Sequence, residues 1–214
     1  MSELTLIKGY VMARITETHK TETRQCIIEK ATYHFASIGY DQTKTKMIAK
    51  SCGIAEGTLF NYFATKDELL VAVFQHLAEQ AKYTDMESLP NPNDIIISYV
   101  LNYTKKMNVI SKNLMIDLMI VSVKLAKKKP KLMQKLIALD VTLIQDLKQK
   151  IESYYDLSKE SINAQALSEM IYGIVASDYL FYLYDSDKTY KTYEASVTQK
   201  LNLLLKGLTQ EALK

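Results

Sequence analysis

A chain of 214 residues, 48% of them apolar, is long enough to bury a full core in one large domain or two small ones without disulfides or metals. With only 6 Gly and 3 Pro, and without Asn-Gly or Asp-Gly turns between alternating runs, it excludes a turn-rich β architecture and predicts an all-α fold. The formal net charge of +3 is too mild to mark a nucleic-acid binder by composition, so local placement of charge must carry any such reading.

The two cysteines, Cys26 and Cys52, lack a metal-ligand or C-x-x-C spacing, which suits reduced thiols in a cytoplasmic protein with no metal and no cofactor. No apolar run is long enough for a signal peptide or a membrane span. His19, His34 and His76 fall singly, no glycine-rich phosphate loop is present and no nucleophile-base arrangement is legible, so an enzyme is not expected.

Residues 1–20 form a weakly amphipathic arm without a clear cap, expected to be partly disordered. From Glu22 to Ser37, Ile27, Ile28, Ala31, Phe35 and Ile38 recur at helical steps as one buried face, and Gly39 is the expected left-handed cap. Thr43 reads as the N-cap of a second helix whose inward residues are Met47, Ile48 and Cys52. Gly53 supplies a tight turn, and a third short helix over Ala55 to Phe63 turns Leu59 and Phe63 inward while Glu56, Thr58, Asn61 and Tyr62 face out. Helix, tight turn and helix in this order are the pattern of a helix-turn-helix, whose second helix enters the DNA major groove.

Thr65 and Glu68 make a capping box that starts a fourth helix, with Leu69, Val73, Leu77 and Ala81 as its apolar stripe to about Lys82. Two prolines and two asparagines over Ser88 to Asn93 mark a hinge or boundary. Five further helices are expected: Asp94 to about Val109, Ser111 to about Lys127, Pro130 to about Tyr155, about Ser158 to Tyr184, and about Thr189 to Gly207, making nine in all. The lysines Lys124, Lys127, Lys128, Lys129, Lys131 and Lys135 read as a solvated helix-to-helix corner, because no aromatic residues are interleaved for base stacking.

Phe35-Ala36-Ser37-Ile38-Gly39-Tyr40, Thr43, Ile48-Ala49, Gly53-Ile54, Gly57-Thr58-Leu59-Phe60-Asn61-Tyr62-Phe63 and Lys66-Asp67-Glu68-Leu69-Leu70 follow one another at specific spacings. Over Arg24 to Phe74 the chain thereby resembles the DNA-binding domain of the TetR family of bacterial transcriptional regulators. The resemblance implies an arm (1–20), a three-helix head (21–66), and a ligand-binding and dimerisation domain (67–214) joined by the helix over 67–82. It also implies a homodimeric regulator, most simply a repressor released from double-stranded DNA by a small, largely apolar effector. Thr43, Lys46, Thr58, Tyr62 and Lys66 match the family's phosphate contacts, with Lys44 on the same basic face. Gly57 and Thr58 match positions of close approach, and Phe60 and Asn61 match base-contacting positions. This sequence departs from the family pattern at Ala55, which lacks a capping side chain, at Glu56, where a carboxylate repels phosphate unless it accepts from a cytosine amino group, and at Phe60, which lacks a hydroxyl.

In the second half, Tyr99, Tyr103, Met107, Met115, Met119, Met133, Tyr172, Tyr179 and Tyr182 supply the adaptable apolar walls and polar tips of a ligand pocket. Gly173, Ala176 and Ser177 offer a small-residue patch, and Val197, Leu201, Leu204 and Leu208 a seam, for a two-fold four-helix interface. The competing reading is a helical ligand-binding or protein-interaction module without a DNA role.

Overall fold

The computed structural model describes the backbone of residues 3–82, 89–108, 110–155 and 163–206, and side chains among them from residue 17 on, except 81 and 82. Nine α-helices make up the described residues. They are α1 (Glu3–Ile38), α2 (Thr45–Ser51), α3 (Glu56–Tyr62), α4 (Lys66–Lys82), α5 (Pro92–Met107), α6 (Lys112–Lys128), α7 (Pro130–Tyr154), α8 (Ala164–Tyr184) and α9 (Tyr190–Lys206). The chain divides into two compact units, Met1–His76 and Leu77–Lys214, with the division inside α4.

In the first unit α1 runs unbroken through the stretch expected as a separate, partly disordered arm. Its inward residues Ile27, Ile28, Ala31 and Phe35 are buried together with Ile48 and Ala49 of α2, Leu59 of α3, Phe63, and Leu69 to Val73 of α4. Ile38, the expected last member of the α1 stripe, is exposed. Gly39 ends α1 at φ +83° and Gly53 makes the α2–α3 turn at φ +67°, the left-handed region that glycine enters without strain.

At the starts of α4, α5 and α6 a side chain satisfies a first-turn amide. Thr65 Oγ1 accepts from the Glu68 amide at 3.1 Å, while Glu68 Oε2 accepts from the Ala64 amide at 3.1 Å, one residue before the amide expected for a capping box. Asn91 caps α5 by accepting from the Asn93 amide, and Pro92 occupies the first turn, so the helix begins two residues before its expected start. Ser111 caps α6 through the Leu114 amide at 3.2 Å. Residues 156–162 and the side chain of Ala81 lie outside the described residues, as does Leu208.

The second unit packs α7 on α8, α8 on α9 and α6 on α7, with α5 against α7 and α9. Four tyrosines seal α8 to α9: Tyr179, Tyr182, Tyr190 and Tyr193 form ring pairs with centroids 5.5–6.1 Å apart. Two of the hydroxyls reach α5 and its end, Tyr182 donating to Asn108 Oδ1 at 2.8 Å and Tyr190 to the Leu101 carbonyl at 3.3 Å. Val197 and Leu201 are completely buried inside this unit, together with Tyr193 and Leu205 at the same four-residue step. They are therefore core residues and not the dimer surface expected of them; Leu204 and Ala176 are half-buried. Gly173 and Ser177 do lie exposed, on a face of α8 that also exposes Met170, Phe181 and Tyr184.

Candidate nucleic-acid interface and second-unit cluster

The two helices of the helix-turn-helix are held at their first turns. Thr45, the first residue of α2, donates from Oγ1 to Glu56 Oε1, on the first residue of α3, at 2.6 Å. Ala55 stands at the N-cap of α3 and makes no side-chain cap, so the acid in that first turn is the side chain that complements the positive end of the helix. Cys52 closes α2 beside Cys26 of α1, and its thiol is pushed up to about 12, first by burial and then by its contact with Cys26. Met47, expected inward, is exposed.

Of the residues matched to DNA contacts, Lys44, Lys46, Gly57, Phe60 and Asn61 are exposed, and Glu56, Thr58 and Tyr62 half-buried. A side chain at Gly57 would meet nothing within 4 Å, so the backbone there is open to close approach.

Two of the expected phosphate contacts have other employment. Thr43 is 1% exposed and is not a helix cap; its Oγ1 donates to the Gly39 carbonyl at 2.7 Å, and Lys44 occupies the N-cap position of α2 without a capping bond. Lys66 turns inward as well, its Nζ donating to the carbonyls of Tyr40 at 2.9 Å and Thr43 at 3.2 Å and lying 4.2 Å from the centre of the Tyr40 ring. A lysine in the first turn of α4 opposes the helix dipole, and these carbonyls offset that cost. Tyr40 completes the clamp by donating to Asp67 Oδ1. Thr43 and Lys66 thus fasten the α1–α2 loop to the start of α4.

In the second unit the candidate pocket residues separate into groups. Tyr99, Tyr103 and Tyr172 gather around two carboxylates of α7, Asp140 and Asp146, which the sequence reading did not single out. Tyr99 donates to Asp146 Oδ2 at 3.5 Å, and Lys150 lies over its ring, 4.7 Å from the centroid. Asp140 is exposed, and partial burial by its neighbours raises its carboxyl, offset by a hydrogen bond from Tyr172. Burial also pushes the Tyr103 phenol up to about 12, with both carboxylates adding to the effect. The available signal was that Asp140 and Asp146 are the only acids between Asp117 and Glu152. Tyr179 and Tyr182 belong instead to the α8–α9 tyrosine seal. Met107 and Met115 are buried, and Met119 and Met133 half-buried.

Among the described residues, then, an exposed-faced helix-turn-helix stands at the head of a helical chain, the arrangement of a DNA-binding module. Residues 27–73 match the family model described as bacterial regulatory proteins, tetR family. Among curated relatives it is 30% identical over 94 residues to an uncharacterised HTH-type transcriptional regulator, YuxN, of Bacillus subtilis, covering 44% of this chain and 31% of that protein. It is 39% identical over 49 residues to the fatty acid metabolism regulator protein of the same organism, covering 23% of this chain and 25% of the relative. The chain thus spans about a third or less of the length of these relatives. A TetR-family regulator from Pectobacterium atrosepticum superimposes with a TM-score of 0.65 at 18% identity, over 91% of this chain and 98% of that one. That likeness concerns the fold alone, and it covers residues of both units. Among the described residues no helix is long and apolar enough to cross a membrane.

Proposed function

We propose that the protein is a homodimeric, cytoplasmic transcriptional repressor that binds a palindromic operator and is released by a small-molecule effector, acting as a regulator and not as an enzyme. The observation that carries the reading is the surface around α3, where Lys44, Lys46, Gly57, Phe60 and Asn61 are exposed together with a half-buried Tyr62. Lysines neutralise phosphates and release counterions, while asparagine and an aromatic edge suit adenine and the thymine methyl. The domain roles follow: residues 21–66 read DNA, 67–214 bind effector and partner, and α4 joins the two functions.

Dimerisation is assigned to the exposed α8 stripe of Met170, Gly173, Ser177, Phe181 and Tyr184, which a two-fold axis would pair with itself. The effector site is assigned to the Tyr99, Tyr103 and Tyr172 group. Asp140 and Asp146 there favour an apolar molecule carrying a basic or hydrogen-bond-donating group, a refinement of the largely apolar ligand expected from sequence. Release requires the effector to favour a conformation in which the two recognition helices no longer lie about one DNA turn, or a similar repeat, apart.

The test is binding to random duplex DNA across a salt series. Wild-type protein is expected to show affinity that falls steeply with salt, and Lys46→Ala to lower the slope by about one. Tyr62→Ala should weaken binding with helicity and oligomeric state unchanged. Salt-independent or undetectable binding by the wild type overturns the assignment.

A further inference from the structure

We propose that Thr45 and Glu56 act as a specificity pair, in which Thr45 holds the Glu56 carboxylate so that it selects a cytosine in each operator half-site; this rests on the DNA-reading assignment above. Glu56 is the first residue of α3 and therefore stands where a recognition helix enters the groove. A free glutamate there would be a liability, since it repels phosphate and pays rotamer entropy to settle on a base. The 2.6 Å bond from Thr45 Oγ1 eases the second problem by tying Oε1 to the start of α2, while the charge itself is satisfied only where Oε2 meets a donor. Oε2 is left without a hydrogen-bond partner among the described residues, and it is not buried.

A carboxylate oxygen only accepts. In the major groove guanine presents N7 and O6, both acceptors, and thymine presents O4 and a methyl group, so neither satisfies Oε2. Adenine has an N6 donor beside its own N7 acceptor, which repels a second acceptor. Cytosine presents the N4 donor alone and is the base the geometry selects. Gly57, with open space where a side chain would be, lets the base edge come close to the turn that carries Glu56. Thr45 is the positioning residue: its hydroxyl proton is committed to Glu56, and its part in reading is to fix where Oε2 points.

Selection of bound sequences from a random duplex pool tests this, using the full chain as wild type, Glu56→Gln, Thr45→Val and Thr45→Ser, each checked for native helicity. The wild-type motif is expected to carry one cytosine per half-site, preferred on the order of 5- to 100-fold over the other bases, as one base-edge contact provides. Glu56→Gln should move that step to adenine, which an amide can bind bidentately. Thr45→Val should flatten the same step and leave the rest of the motif, and Thr45→Ser, which keeps the hydroxyl, should restore it. The pair is overturned if Glu56→Gln selects the wild-type motif, or if Thr45→Val leaves the step as sharp as before. Salt-dependent binding without an enriched cytosine overturns the pair alone, whereas no salt-dependent binding by any of the four proteins overturns the DNA reading with it.

Discussion

At Thr43 and Lys66 the same chemistry serves two masters. A hydroxyl and an ammonium that would suit phosphate oxygens are satisfied inside the protein by the carbonyls of Gly39, Tyr40 and Thr43. Removing them should therefore loosen the fold. Thr43→Val, which keeps the shape and deletes the donor, is expected to cost about 1 kcal/mol, and Lys66→Met about 1–3 kcal/mol because a charged donor is lost. Urea unfolding measures both; unchanged midpoints with weakened DNA binding would return the two residues to the phosphate surface. Leu59 and Phe63 were legible as core from their spacing alone. Thr43 and Lys66 were not, because the carbonyls they bind are gathered by the path of the α1–α2 loop, which no local pattern encodes. Thr45 escaped notice for a related reason, since its partner lies across the helix-turn-helix on α3.

Helix existence was readable throughout, helix ends less so. Apolar stripes and caps at Ser111 and Thr65 announce α6 and α4 because local hydrogen bonds decide where those helices start. The continuation of α1 to Glu3 had no such signal, as that stretch carries neither a cap nor a strong stripe. For α9 the seam was drawn through Leu204, whereas the buried line is Tyr193, Val197, Leu201 and Leu205. Four-residue steps drift slowly around a helix, so Leu204 and Leu205 compete for one face, and only packing against α8 decides. The exposed stripe of α8 carries the prediction at this scale. Phe181, 62% exposed on that stripe, should be replaceable by Asp without loss of fold, and Phe181→Asp is expected to shift sedimentation equilibrium from dimer to monomer. A dimer of wild-type strength would move the interface elsewhere.

Across the second unit, burial raises the phenols of Tyr103, Tyr155 and Tyr190 to about 12, and those of Tyr99, Tyr172, Tyr179 and Tyr193 also lie above their ordinary value. The folded chain favours the neutral phenol, so this contribution is intact below pH of about 10, where unfolded phenols are also protonated. It is lost as pH rises from about 10 through 12. Urea midpoints should accordingly fall between pH 9 and pH 11, and equal midpoints would contradict the burial of these rings.

The tyrosine seal between α8 and α9 has an optical consequence. The chain has 15 Tyr, 5 Phe and no Trp, so phenol rings dominate its intrinsic ultraviolet emission. Rings whose centroids lie 5.5–6.1 Å apart exchange excitation and couple their transitions, and four of them are fixed in one place. Near-ultraviolet circular dichroism and emission anisotropy should thus report on the α8–α9 junction in the unlabelled protein, offering a built-in gauge of whether an added compound disturbs that junction.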